Sequence, residues 1–375
     1  MSHPDLKRYP FPMPTIPGTL LHHETIPTSV PGARAWRVRY ASCDVNGKPT
    51  ESTGLVIAPI AEGTDRFVLT WAHGTTGLGD AACPSSQPDP ARELTVYFSP
   101  ESTQSIDYGV PGLQGFIDAG WVVCATDYQG LGTPGMHQYM VSRTNAKDAI
   151  NIVHAARELN IGAGTTVGCM GWSQGGGTAA AVAELDSTDY KDLTLIGTVP
   201  MSPGVAIISL QHPTGLAATL AGNSGPPDGH LVMTFAGYSA ADETLKLSDI
   251  LSPLGVSIIE GAYNTQPVHH LSDTVSRLYR LKGPILQINS DAMPAWKAAF
   301  TAGSATLNKP VCPVFVCMDT FDGGTVVPVE WQEAYVADVT ALGATVITKS
   351  YPNDDHFSLP TSCVADARQW LTSLL

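Results

Sequence analysis

The feature that most constrains this chain of 375 residues is a change of rhythm at one serine. Val167–Trp172 is an apolar run that reads as a strand, and Gln174–Leu185 reads as a helix of small residues. Between them stands Gly171-Trp172-Ser173-Gln174-Gly175. In a chain with 36 glycines a bare Gly-x-Ser-x-Gly carries little weight. Its place at the end of a strand and the start of a helix carries much more, because a nucleophilic serine is presented on that kind of turn. The turn strains the serine backbone, so its neighbours must be small. Gly171, Gly175, Gly176 and Gly177 meet that demand, and Thr178 and Ala179–Ala181 let the helix lie close on a sheet.

The flanking sequence predicts what that sheet is. Residues 1–34 read as an extended arm with scattered prolines. Ala35–Asp44 and Ser52–Ile60 read as antiparallel strands joined by a turn at Asn46-Gly47. Arg66–Gly74 reads as a strand, Asp107–Gly120 as a helix, and Trp121–Tyr128 as an apolar strand of the kind covered on both faces. A long helix is expected over about 140–160, and a strand over Leu195–Ser202. Alternation of this sort predicts an α/β fold with a mainly parallel central sheet and helices on both faces. The rhythm breaks at Pro203 and returns at Val311. Residues 203–310 therefore read as a helical cap or lid inserted into a core made of 1–202 and 311–375. After it come a strand at Val311–Met318, a helix at about Val329–Leu342, a strand at Thr345–Tyr351 and a closing helix.

Serine alone is a poor nucleophile and needs a base beside it. On a fold of this kind the chain order is serine, acid, histidine. His356 is the only one of eleven histidines beyond residue 270, and it follows the last expected strand. Asp319 and Asp322 follow the strand before it. A carboxylate there holds the imidazole tautomer and stabilises the imidazolium. Asp322 is preferred, because Gly323-Gly324 allow the loop to fold back over the sheet edge, whereas Asp319 lies at the strand tip. Two backbone N–H groups must face the tetrahedral oxygen. Gln174 supplies one, and Thr75 or Thr76, in the loop after His73-Gly74, supplies the other.

Other chemistries fit less well. Gly130-Leu-Gly132-Thr-Pro-Gly135 has dinucleotide-site spacing, but Pro134 interrupts and no helix opens directly on the glycines. His22-His23-Glu24 and His269-His270 lack a third ligand at metal spacing. No cofactor and no metal are expected. The formal charge of −14 argues against nucleic acid as a partner. Residues 1–20 have no apolar signal core, and no run is long enough to span a membrane. The expectation is therefore either a cytoplasmic protein or a secreted one lacking its export signal. Of the seven cysteines, Cys124, Cys169 and Cys317 lie in apolar runs and read as buried free thiols, and a Cys43 to Cys83 bridge is left open. Oligomeric state is not legible.

Several stretches together resemble the secretory-lipase family of α/β-hydrolases, which includes fungal lipase A enzymes and bacterial relatives. They are Pro17-Gly-Thr-Leu-Leu, Trp36-Arg-Val-Arg-Tyr-Ala-Ser, Cys83-Pro-Ser, Thr126-Asp-Tyr-Gln-Gly-Leu-Gly, the turn at Ser173 and the tail Tyr351-Pro-Asn-Asp-Asp-His356. The resemblance implies the α/β-hydrolase fold, hydrolysis of small-molecule or lipid esters, a helical cap, and no cofactor. It puts the family's first oxyanion residue on Thr76, where this chain departs from the acid often found there. It also puts the family's acid on Asp322. A peptidase, an amidase or an acyltransferase could use the same triad, and a non-catalytic binding protein would usually have lost one member of it.

Overall fold

The computed structural model describes residues 16–100, 102, 104–212, 227–321 and 326–375. Nine strands form one sheet: β1 (Leu20–Ile26), β2 (Ala33–Cys43), β3 (Pro49–Pro59), β4 (Arg66–Ala72), β5 (Val122–Thr126), β6 (Ala163–Trp172), β7 (Thr194–Met201), β8 (Val314–Asp319) and β9 (Val346–Tyr351). Their spatial order is β1-β2-β3-β5-β4-β6-β7-β8-β9. The first three strands run antiparallel to their neighbours, and β5, β4, β6, β7, β8 and β9 are mutually parallel. This is the mainly parallel central sheet that the sequence predicts.

Helices cover both faces. On one side, α2 (Ser142–Glu158) and α3 (Gln174–Val182) pack Ile150, Val153, Ala180 and Val182 against Val68, Val122, Val167 and Val316. On the other, α1 (Leu113–Asp118) and the closing helix Leu359–Thr372 pack Phe116, Cys363 and Leu371 against Trp71, Val123 and Met170. Fully burying an aliphatic or aromatic side chain contributes about 1.5–3 kcal/mol, so these two layers carry most of the stabilisation. Glycines of the sheet let the closing helix approach: a Cβ added at Gly168 would lie 3.1 Å from Leu371, and one at Gly197 would lie 2.8 Å from Trp370.

After α4 (Ser187–Tyr190) and β7, the chain runs through α5 (Ala206–Gln211), α6 (Gly229–Ala241), α7 (Pro253–Ala262), α8 (Val268–Lys282) and α9 (Met293–Gly303) before it re-enters the sheet. These helices share a separate apolar cluster, built on Phe235, Ile259, Leu271, Val275, Trp296 and Phe300. Helix α10 (Val329–Ala341) and α11 (Leu359–Thr372) flank β9.

Two expectations need correction, and one question left open is answered. The arm 1–34 is not wholly irregular, because Leu20–Ile26 adds a strand to the sheet edge. Its side chains are mostly exposed, so backbone pairing rather than alternating burial holds it, and no apolar pattern marks it. The helix expected from Asp107 begins only at Leu113. Gly109 and Gly112 take φ values of 95° and 65°, and the amides of Tyr108 and Val110 bond to Thr95 and Arg92 instead of forming a helical ladder. All seven cysteines are free, so Cys43 and Cys83 are not bridged.

The carboxyl ends of β4, β6, β7, β8 and β9 lie along one edge of the sheet. In an open parallel sheet that edge is where ligands bind. Among the described residues no helix is long and apolar enough to cross a membrane.

Candidate active site

Ser173 stands between β6 and α3 with φ 60° and ψ −118°. A non-glycine residue there is strained by about 1–3 kcal/mol, and only a surrounding structure that over-determines it can hold it. The hydrogen bonds do so. Ser173 N–H donates to Met201 O at 3.0 Å, and Ser173 O accepts from Gly177 N at 3.1 Å and Gly204 N at 2.8 Å. The glycines are required by space. A Cβ at Gly175 would sit 1.9 Å from Ala72 O, one at Gly171 2.0 Å from Gly175 O, and one at Gly177 2.0 Å from Gly204 O.

The same close approach brings the start of α3 against the loop after β4. The first amides of a helix have no intrahelical acceptor, so Gln174 N–H is open to a ligand at the positive end of the helix. The loop 73–76 is tied down through its other groups. His73 O accepts from Tyr128 Oη at 3.0 Å, Thr76 O accepts from Val268 N at 2.8 Å, and Thr75 Oγ1 meets Tyr139 Oη at 2.8 Å. Among the described residues neither Thr75 N–H nor Thr76 N–H has an acceptor, and both residues are buried. Among the described residues, loop and helix together hold three amides without acceptors, the kind of donor an oxyanion hole needs.

His356 lies beyond β9, where its backbone is anchored to the residue that precedes the serine: Trp172 Nε1–H donates to His356 O at 2.8 Å, with the rings 5.3 Å apart. Its imidazole is 3% exposed and Ser173 is 7% exposed, so the site is nearly closed to solvent. Burial pushes the His356 pKa down to about 3; His230 lowers it further and Asp355 opposes. The ring is therefore neutral at pH 7, the form that accepts a proton. Its Nδ1 lies 3.0 Å from Ser202 Oγ. No hydrogen bond joins Ser173 Oγ to His356.

Of the two candidate acids, Asp319 ends β8 fully buried, and its Oδ1 accepts from Gln332 Nε2 at 2.9 Å. Asp322 lies outside the described residues.

Two side chains at this site escape sequence reasoning. His137 was hidden in a Gly/Pro-rich loop. It is fully buried, its Nδ1–H donates to Gln129 O at 2.9 Å, and its Nε2 accepts from the Gln174 side-chain amide at 2.7 Å. Burial pushes its pKa down to about 3, and Tyr128 stacks on it at 5.5 Å with planes 9° apart. Gln129 N–H in turn donates to Asp148 Oδ2 at 2.8 Å. Ser202 is the other. It carried no signal beyond its place at the end of a strand before Pro203. Of the other histidine runs, His22 and His23 are exposed on β1, whereas His269, next to Val268, stacks on Tyr97 at 4.4 Å and packs on Phe98 at 4.9 Å. Among the described residues no group of three or more His, Cys, Asp or Glu is placed to hold a metal ion.

Comparison with known proteins agrees with this architecture. Residues 97–211 match the family described as secretory lipase. No curated protein matches in sequence. Among solved structures, the rice cell wall degrading esterase LipA from Xanthomonas oryzae is similar at 19% identity and TM-score 0.72, over 96% of this chain and 99% of that one. Candida antarctica lipase A in its closed state is similar at 14% identity and TM-score 0.70, over 96% and 82% of the two chains. A putative hydrolase from Legionella pneumophila is similar at 18% identity and TM-score 0.70, over 95% and 98%. The chain is thus a carboxylic ester hydrolase on an α/β-hydrolase fold, with the secretory-lipase match lying over residues 97–211.

Proposed function

We propose that this ester hydrolase works through an acyl-enzyme on Ser173. Ser173 Oγ attacks the ester carbonyl carbon while His356 Nε2 takes its proton. The oxyanion is held by Gln174 N–H and by Thr76 N–H or Thr75 N–H. Collapse breaks the bond to the alcohol oxygen, which leaves with the proton from His356. Water then attacks the acyl carbon with His356 as base, and the carboxylic acid departs as the proton returns to Ser173. Asp322 orients the imidazole and stabilises its cation; the engagement of Asp319 by Gln332 supports Asp322 over Asp319.

The observation that carries this reading is the strained serine at φ 60° beside free amides and a neutral buried imidazole. We read 203–310 as a cap over a core of 1–202 and 311–375. Support comes from Val268 N–H, at the start of α8, which donates to Thr76 O in the proposed oxyanion loop. The near-complete burial of Ser173 and His356 supports it too. The substrate is a small-molecule or lipid ester held beneath that cap.

The test is chemical labelling with a substrate panel. A fluorophosphonate should label the protein once, at Ser173. Ser173→Ala should fold normally and fall to the residual catalysis left by binding and the oxyanion donors, roughly 10³–10⁴ over water. Turnover of 4-nitrophenyl esters without turnover of aminoacyl anilides is expected. Labelling at another serine, or preferential anilide cleavage, rejects the reading.

A further inference from the structure

We propose that Ser202 is a positioning residue for the base, its hydroxyl accepting the Nδ1–H of His356 and so turning Nε2 toward Ser173. The proposal rests on the reading of Ser173 and His356 given above.

Ser202 follows β7, the strand beside the one that carries the nucleophile. It is fully buried and takes φ 43°, a left-handed conformation that favours glycine or asparagine. Ser202 N–H donates to Cys317 O on β8 at 2.9 Å, which clamps the residue between two strands. The segment around it is stitched to the nucleophile: Met201 O accepts Ser173 N–H, and Gly204 N–H donates to Ser173 O. Through Ser202 Oγ, 3.0 Å from Nδ1, the same short segment reaches the base. One tight turn thereby sets the backbone of the nucleophile and the ring of the base together.

The chemistry follows from the two ring nitrogens. A neutral imidazole carries one proton. When Nδ1–H donates to Ser202, the lone pair lies on Nε2, the nitrogen that must receive the serine proton. A hydroxyl can donate as well as accept, so Ser202 orients the ring but does not by itself enforce the tautomer. It also adds no negative charge. Stabilising the imidazolium remains the work of a carboxylate, Asp322 in the reading above, which shares the Nδ1–H with Ser202 as the second acceptor of a three-centre bond.

The decisive variant is Ser202→Gly, which removes the hydroxyl and suits a left-handed backbone. Ser202→Ala removes it at nearly constant volume, and Ser202→Asp returns an acceptor that bears charge. Folding is checked by circular dichroism and thermal melts. For Ser202→Gly and Ser202→Ala, kcat should fall by on the order of 10²-fold, as expected for a misaligned reacting group. KM should stay within about twofold, since substrate contacts are untouched. Fluorophosphonate labelling should stay on Ser173 but slow in step with kcat. Ser202→Asp should recover part of the lost kcat and move the acid limb of the kcat profile to higher pH, because a carboxylate favours the imidazolium. A folded Ser202→Gly with kcat within twofold of wild type and an unmoved pH profile overturns the proposal. So does a Ser202→Asp whose acid limb stays in place. Wild-type labelling away from Ser173 would instead overturn the underlying assignment of the nucleophile.

Discussion

The side-chain amide of Gln174 donates to Nε2 of His137 across 2.7 Å, and that contact links the first residue of α3 to a loop thirty-seven positions earlier. The chain of bonds continues from His137 to Gln129 O and from Gln129 N to Asp148. The residue whose backbone N–H is proposed to hold the oxyanion is thus braced through its side chain by a run of buried hydrogen bonds.

That bracing leads to a first prediction. His137→Phe keeps an aromatic ring against Tyr128 but leaves the Gln174 amide without its acceptor. An unsatisfied buried donor costs about 1–3 kcal/mol, so thermal stability should fall by that order. If the brace also aligns the Gln174 N–H, kcat should drop by about tenfold, a fraction of the loss on deleting a donor outright, with little change in KM. Steady-state kinetics and melts on the purified variant check both.

The acid can be identified by a pair of amides. Asp322→Asn should keep the fold and lower kcat by roughly 10⁴-fold, because the amide favours the wrong imidazole tautomer. Asp319→Asn disturbs a buried contact with Gln332 and should lose stability while retaining most activity. A crippled Asp319→Asn beside a near-normal Asp322→Asn would exchange the assignments.

The pH dependence of stability should carry two opposing signatures. Burial lowers the folded pKa of His137 to about 3, against about 6.5 for a free imidazole. As pH falls below about 6.5 the unfolded chain takes the proton first, so the contribution of His137 is complete above that pH and is lost progressively toward 3. His137→Phe should therefore show a shallower fall in Tm between pH 6.5 and 4 than wild type does. Asp148 runs the other way. Burial raises its folded pKa to about 7, so its contribution is present below the ordinary carboxylate range and is lost as pH rises through 7. The stability of Asp148→Asn relative to wild type should increase from pH 4 to pH 8. Melting curves across that range read both slopes.

Glycine positions offer a steric test. Gly175→Ala would put a methyl 1.9 Å from Ala72 O and 2.6 Å from His73 O. Neither backbone atom can yield without moving the oxyanion loop, so the variant should be strongly destabilised and inactive. Gly261, in α7, has open space around its Cβ direction. Gly261→Ala should leave activity alone and add roughly 0.5–1 kcal/mol from helix propensity. Comparing the two variants by chemical denaturation separates clash from propensity.

The sequence by itself determined the elements whose pattern is local. Gly171-Trp-Ser-Gln-Gly175 marks the elbow because only small neighbours fit beside a strained serine, and the apolar runs of β5 and β6 announce strands covered on both faces. His356 stands out as the candidate base because it is the one histidine beyond residue 270. Leu20–Ile26 was not legible as a strand, since an edge strand held by backbone bonds leaves no alternation of burial. Nor were Ser202 and His137. Each reaches the candidate site through a residue far away in the chain, Ser202 through His356 at 3.0 Å and His137 through Gln174 at 2.7 Å. Nothing in a serine before a proline, or a histidine in a glycine-rich loop, encodes a partner. Only the folding of β7 beside β6, and of the loop after β5 over the start of α3, brings those polar atoms within bonding distance. Once they are buried together, the cost of leaving them unpaired fixes their geometry.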